Sequence, residues 1–197
     1  TTGLEPFAGD RIIEFAAVIF HLDSNGSIRE KEAHSFLINP EIPIPRKVTE
    51  ITGIQDSDVA DKPVFSEMAD EIQKLFQNAI TVAHNYPFDR SFLTVEYQRL
   101  NKHWPEPIAQ IDTVDISMQK FKEKRGHRLV DLCARLNITL DGAHRATNDA
   151  DACGQCFLEL AKRHHVGDDL EDLLDWAQAI GLPPKSGPIG PDASGRL

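Results

Sequence analysis

Cysteine is scarce in this chain: Cys133, Cys153 and Cys156 are its only three. An odd number set in helix-like patterns argues against a disulfide framework and suits a reducing cytoplasm. Cys153 and Cys156 form a C-x-x-C, but no second pair follows and the adjacent His164 and His165 are poorly spaced for zinc. Plain helix packing is therefore the reading for these thiols. Long apolar runs are also lacking. No stretch approaches the ~20 residues of a membrane-spanning helix, so no membrane partner is expected. No signal-peptide pattern stands at the front, although a chain that opens at Thr1 without an initiator Met does not testify about targeting. Positive charge is in deficit: 21 Lys and Arg stand against 31 Asp and Glu, a net charge of −10. That balance argues against broad, charge-driven adhesion to nucleic acid and fits a site that draws in cations. No internal repeat is present.

The 197 residues suffice for one enzyme-sized domain with a short appendage. A hydrophobic fraction of 41% and a charged fraction of 26% sit near the averages for soluble globular proteins and indicate neither disorder nor a fibrous repeat. From Ile12 to Phe20 the run IIEFAAVIF is apolar on both faces, which predicts a strand buried within a sheet. DSNG at Asp23 to Gly26 reads as a hairpin turn into a second strand near Ala33 to Ile38. Phe65, Met68, Ile72 and Leu75 make one helical stripe. Ile80 to His84 follows as a short strand, Tyr86 to Leu100 as a helix and Ile108 to Ile111 as a strand. Leu129, Leu132, Cys133 and Leu136 make a further stripe. Ala146, Ala150, Cys153, Phe157 and Leu160 mark a long helix. A hairpin followed by alternating helix and strand predicts an α/β fold with a mixed sheet. After His165 the composition shifts, so residues 1–165 are expected to form the domain and 166–197 an acidic amphipathic helix followed by a linker-like Pro/Gly/Ser-rich tail.

Two short stretches carry candidate chemistry. HNYPFD, His84 to Asp89, ends a strand and opens a helix: Asn85 suits a helix cap, Pro87 the first turn, and Asp89 follows one turn on. HRATND, His144 to Asp149, opens the long helix. Five residues at ~100° each leave His144 and Asp149 ~140° apart on a helix, so they converge only if His144 lies in the preceding loop. Each motif has an ordinary explanation. The macrodipole alone favours an Asp in a first turn, and a single His before a helix is usually a surface or packing residue. Asp131 and Asp151 read as solvated faces, and Phe88 as core rather than a stacking platform.

The combination changes the balance. TTGL, GDRIIEFAAV, ITGI at Ile51 to Ile54, HNYPFD and HRATNDADA, in this order from Thr1 to about Leu160, resemble the DnaQ-type 3′→5′ exonucleases of the DEDDh group. That group includes the polymerase III epsilon subunit and ribonuclease T. The resemblance implies a ribonuclease H-like mixed sheet flanked by helices. It also implies a two-metal mechanism, in which Mg²⁺ or Mn²⁺ ions ~3.5–4 Å apart lower the pKa of the attacking water and stabilise the leaving oxygen. By the same resemblance Asp89 and Asp149 are metal-binding and catalytic, and His144 is the general base, since an imidazole near pKa ~6.5 serves that role close to neutral pH. Thr1, Thr2 and Gly3 would lie beside the terminal nucleotide, and Asn85 would support the site. The implied substrate is a single-stranded or frayed 3′ end of DNA, delivered by a partner such as a polymerase subunit. RNA trimming and a catalytically inactive module of a larger assembly are the alternatives.

The chain departs from the family pattern at its first motif. Members read D-x-E-T-T-G, whereas this sequence starts at the first Thr. The expectation is an N-terminally shortened exonuclease, lacking the central strand beside Ile12 to Phe20 and both of that strand's carboxylates. A gap should then open in the sheet, and one metal at most should bind. Glu5 and Asp10 lie beyond the turn and do not serve as replacements, and Glu14 falls inside the buried strand pattern.

Overall fold

The computed structural model describes residues 1–103, 107–123, 125–140, 145–167 and 169–182. A single 3-10 turn, Pro6–Ala8, follows the TTG segment. Strands β1 (Glu14–Leu22) and β2 (Ile28–Leu37) then form an antiparallel hairpin, in one register from Glu14 opposite Leu37 to His21 opposite Glu30, with a shift before Leu22 opposite Ile28. The turn is closed as its sequence predicts. The Asp23 carboxylate accepts from the N–H groups of Asn25 and Ser27 at 2.9 and 3.0 Å, and Gly26 takes the left-handed conformation.

Helices α1 (Arg46–Thr52), α2 (Asp56–Val59) and α3 (Phe65–Lys74) follow, then β3 (Ile80–Ala83), α4 (Tyr86–Arg99) and β4 (Ala109–Asp112). The chain continues through α5 (Thr113–Lys120), α6 (Leu129–Leu136), α7 (Ala146–Arg163) and α8 (Leu170–Ile180). β3 and β4 run parallel, from Ile80 opposite Ala109 to Ala83 opposite Asp112. No helix among the described residues is long and apolar enough to cross a membrane.

Apolar stripes seat the helices. Leu132, Leu136, Leu160 and Ile111 belong to one core cluster, formed where α6 and α7 meet β4. Phe65, Ile72, Phe92 and Tyr97 form a second between β1, α3 and α4, with the Tyr97 hydroxyl donating to the Ala69 carbonyl at 2.7 Å. Ile13, Ile44, Ile54 and Val59 form a third under α1 and α2. The acidic helix α8 is packed against the domain. Leu173 and Ala177 are buried, Trp176 stacks on Phe157 at 5.6 Å, and the Leu182 N–H donates to the Gln110 carbonyl at 2.7 Å. The tail from residue 183 lies outside the described residues.

The sheet is divided. Among the described residues the named strands form two separate pairs, β1 with β2 and β3 with β4. A cavity of about 1140 Å³ lies between the pairs, with Ile12 to Leu22 on one side and Ile80 to Ala83 on the other. It stands beside β1, where a gap was expected. It also corrects one expectation: Val18, Ile19 and Phe20 are half-buried rather than enclosed on both faces, because they border this open space.

Candidate active site

Asp89 stands in the first turn of α4, and the geometry before it is set by the ends of the parallel pair. Asn85 occupies the N-cap position in the left-handed region (φ 70°, ψ 54°), a conformation that Asn tolerates better than most residues. Its side chain makes no cap bond, contrary to the capping expected from the sequence. Its backbone N–H instead donates to Oδ1 of Asp112 at 3.0 Å, and the same oxygen accepts from the Val114 N–H at 2.9 Å. One carboxylate thus joins the turn after β3 to the start of α5. His84 is fixed next to it, with Nδ1 2.9 Å from the Thr113 hydroxyl, which also donates to the Ala83 carbonyl at 3.3 Å.

The Asp89 carboxyl group is crowded by protein atoms, and this loss of hydration is the main reason its pKa is pushed up to about 7. The negative charge of Asp112 pushes the same way, and a backbone hydrogen bond opposes both. As a residue Asp89 is nonetheless exposed, because water reaches it through the open cavity, which moderates the upward push.

Asp149 lies in the first turn of α7, half-buried, with its N–H donating to the Arg145 carbonyl at 3.1 Å. Asp89, Asp149 and Thr1 line the same cavity, so the structure brings three of the expected site residues to one space. His144 lies outside the described residues.

Glu14 joins this group, and the sequence reading passed it over. It begins β1 rather than lying within it. Its side chain is only 8% exposed, held by the Arg145 guanidinium at 3.3 Å and by the Ala146 N–H at 3.4 Å, the first residue of α7. A signal was present: Glu14 is the single charge in IIEFAAVIF, and a carboxylate in an apolar strand requires a partner.

The Thr1–Gly3 segment is a tightly bonded loop. Thr2 is 2% exposed; its hydroxyl donates to Asp10 at 3.1 Å and accepts from the Arg11 N–H at 2.9 Å. Asp10 also accepts from the Glu5 N–H at 2.9 Å. A Cβ on Gly3 would fall 2.1 Å from Asp10 Oδ2, so a larger residue here would have to displace that carboxylate and the hydrogen bonds it accepts. Thr2 and Asp10 therefore hold the loop's shape, while Thr1 and Gly3 lie on its accessible side, both partly exposed.

The donors present are oxygen donors of the kind hard divalent ions prefer, and Mg²⁺ needs only one or two protein carboxylates besides its waters. Asp89 and Asp149 bring such oxygens to the lining of the cavity. Among the described residues no group of three His, Cys, Asp or Glu is placed to hold a metal ion. The cysteines take no part. All three are free and buried, with the Cys133 and Cys156 sulfurs 3.6 Å apart where α6 packs on α7.

Two helix-start carboxylates thus line one cavity of a helix-flanked α/β sheet. Similarity to known proteins gives the family. The family model described as "Exonuclease" matches residues 1–157. DNA polymerase III subunit epsilon of Treponema pallidum (strain Nichols) is 35% identical over 166 residues, covering 83% of this chain and 74% of that protein. The 3′-5′ exonuclease DinG of Bacillus subtilis (strain 168) is 36% identical over 163 residues, 83% of this chain. This chain spans 17% of that relative's length, and 22% of an epsilon-like protein from Rhodobacter capsulatus. Exonuclease X, solved in complex with 5′ overhanging duplex DNA, superposes with a TM-score of 0.65 at 23% identity, over 89% of this chain and 93% of that one. The nuclease domain of 3′hExo, a DEDDh family member bound to rAMP, gives a TM-score of 0.64 at 16% identity, over 78% and 82%. These last two likenesses establish the ribonuclease H-like fold. The chain belongs to the DnaQ-like 3′→5′ exonuclease family.

Proposed function

We propose that residues 1–165 carry a metal-dependent 3′→5′ exonuclease domain that releases nucleoside monophosphates from DNA 3′ ends, with 166–197 an appendage whose helix packs onto it. The observation that carries this reading is that Asp89, Asp149 and Thr1 line one cavity in a chain of this family. Asp89 and Asp149 would hold a divalent ion, which supplies polarisation of a phosphoryl oxygen and a lowered water pKa. Thr1 and Gly3 would place the terminal nucleotide, on a loop shaped by Thr2 and Asp10. Asn85 fixes the turn that presents Asp89. His144 would accept a proton from the attacking water.

With two motif carboxylates, the chain beginning at Thr1 would bind one ion weakly and turn over slowly. DNA is preferred to RNA because the relatives include polymerase III epsilon and PolC-type proteins.

The test is digestion of 5′-labelled single-stranded DNA with Mg²⁺ or Mn²⁺, using the 197-residue chain and a version preceded by a strand carrying the D-x-E motif. The longer version should produce a 3′→5′ ladder. Asp89→Asn should abolish it, and His144→Ala should slow it by ~10²–10⁴-fold. An Asp89→Asn variant that digests normally would overturn the assignment.

A further inference from the structure

The acidic chain has one concentrated basic segment. Residues 120–128, KFKEKRGHR, hold five Lys or Arg against one Glu. The described part of this segment is a pinned loop. His127 is buried, with Nε2 2.7 Å from the Glu123 carbonyl and Nδ1 2.8 Å from the Ser117 hydroxyl. A carbonyl only accepts, so Nε2 carries the proton and Nδ1 accepts from Ser117. Arg135 donates to the Arg125 carbonyl at 3.3 Å and lies over the Phe121 ring at 5.1 Å. Gly126 takes φ +83°, and a Cβ there would come within 2.9 Å of that same arginine. These interactions fix the loop backbone and leave the side chains of Arg125 and Arg128 exposed.

Both arginines line a shallow groove of about 530 Å³. Val114 and Met118 line it too, with Met118 54% exposed, so cationic and apolar groups meet in one groove. Its volume falls within the ~300–1,000 Å³ usual for ligand clefts. The groove adjoins the Asp89 cavity, because His84 and Leu129 line both. Arg128 shares its charge with Asp131 at 2.8 and 3.1 Å, whereas Arg125 makes no ion pair among the described residues.

We propose that this groove is the track for the nucleic-acid strand behind its 3′ terminus. Arg125 and Arg128 take backbone phosphates, and Val114 and Met118 lie against a base or sugar. The proposal rests on the exonuclease reading and adds to it: a net-acidic protein holds an anionic polymer through a local cationic edge continuous with the reacting site. Guanidinium groups suit the role, since their planar fork matches phosphate oxygens.

The test is binding of 5′-fluorescein dT2 and dT12 to the full chain in EDTA, by anisotropy across a salt series. Unaltered protein should bind dT12 more tightly than dT2. Arg125→Ala/Arg128→Ala should weaken dT12 binding at least tenfold. It should also lower the slope of log K against log salt by about 1.4, because each neutralised single-strand phosphate adds ~0.7 and two arginines are removed. The Lys double variant should restore most of the slope. Equal slopes in the Ala variant and unaltered protein, or dT12 binding no tighter than dT2, would overturn the track. Hydrolysis of thymidine 5′-p-nitrophenyl phosphate by the D-x-E-bearing version of the unaltered protein tests the exonuclease reading separately, since that small ester has no strand to occupy the groove.

Discussion

Glu96 should be among the costliest single positions in the domain, although it lies outside the candidate site. It sits on α4 with a side chain 3% exposed and accepts from Arg11 Nε at 2.7 Å, Arg11 Nη2 at 3.2 Å and Arg99 Nη1 at 3.0 Å. Arg11 in turn holds the N-terminal loop: its N–H donates to the Thr2 hydroxyl, and its carbonyl accepts from the Thr2 N–H at 2.8 Å. The pair thus ties the helix that carries Asp89 to the loop that carries Thr1 and Gly3. In Glu96→Ala the Arg11 guanidinium, 17% exposed, keeps only Glu41, 3.4 Å away and itself 56% exposed. Removing one partner of a buried ion pair costs ~3–5 kcal/mol, and the remaining pairing with Glu41 places this case near ~3. Glu96→Gln keeps an acceptor and should cost less, ~1–2 kcal/mol. Arg11→Met/Glu96→Leu leaves no buried charge and should recover most of the deficit. Urea unfolding at constant m-value measures all three. A destabilisation below ~1 kcal/mol in Glu96→Ala would refute the reasoning, as would a double variant no more stable than the single one.

Other consequences are equally open to measurement. Gly3→Ala should distort the Thr1–Gly3 loop, because its Cβ would meet Asp10 at 2.1 Å; Gly3→Ala/Asp10→Ala should recover part of the stability, and an undiminished single variant would contradict the close approach. Burial pushes the Cys153 thiol up to about 12 and raises Cys133 and Cys156, so these groups stay protonated and unreactive at pH ~8. A disulfide reagent should therefore titrate three thiols only after denaturation, and rapid native reaction would place them in the wrong environment. A version with an apolar strand joined ahead of Thr1 should fill the space between β1 and β3, raise Tm and slow amide exchange along β1. Unchanged exchange there would show that the cavity does not accept a strand.

What could be read from the sequence depended on whether a local pattern and its tertiary setting agreed. α3, α6 and α7 were legible because their apolar stripes face the core they form. The placement of Asp89 and Asp149 in first turns was legible because both stand in motifs that open a helix. α5 was missed because it is short and lacks a clear stripe, yet its start was marked: Asp112 accepts from the Val114 N–H, the ordinary N-cap arrangement. β1 shows the limit from the other direction. Its apolar composition predicts neighbours on every side, but a sequence pattern records what a strand is suited to touch, not what stands beside it. Glu14 failed for the same reason. Within the run it reads as an anomaly of a buried strand, and only the approach of the α7 N-terminus turns it into a capping carboxylate at the edge of the cavity. The residues hardest to read were thus those whose partners come from another element. Glu14 is met by Arg145 across 131 positions and Arg11 by Glu96 across 85, and helical or strand periodicity contains no information at such separations.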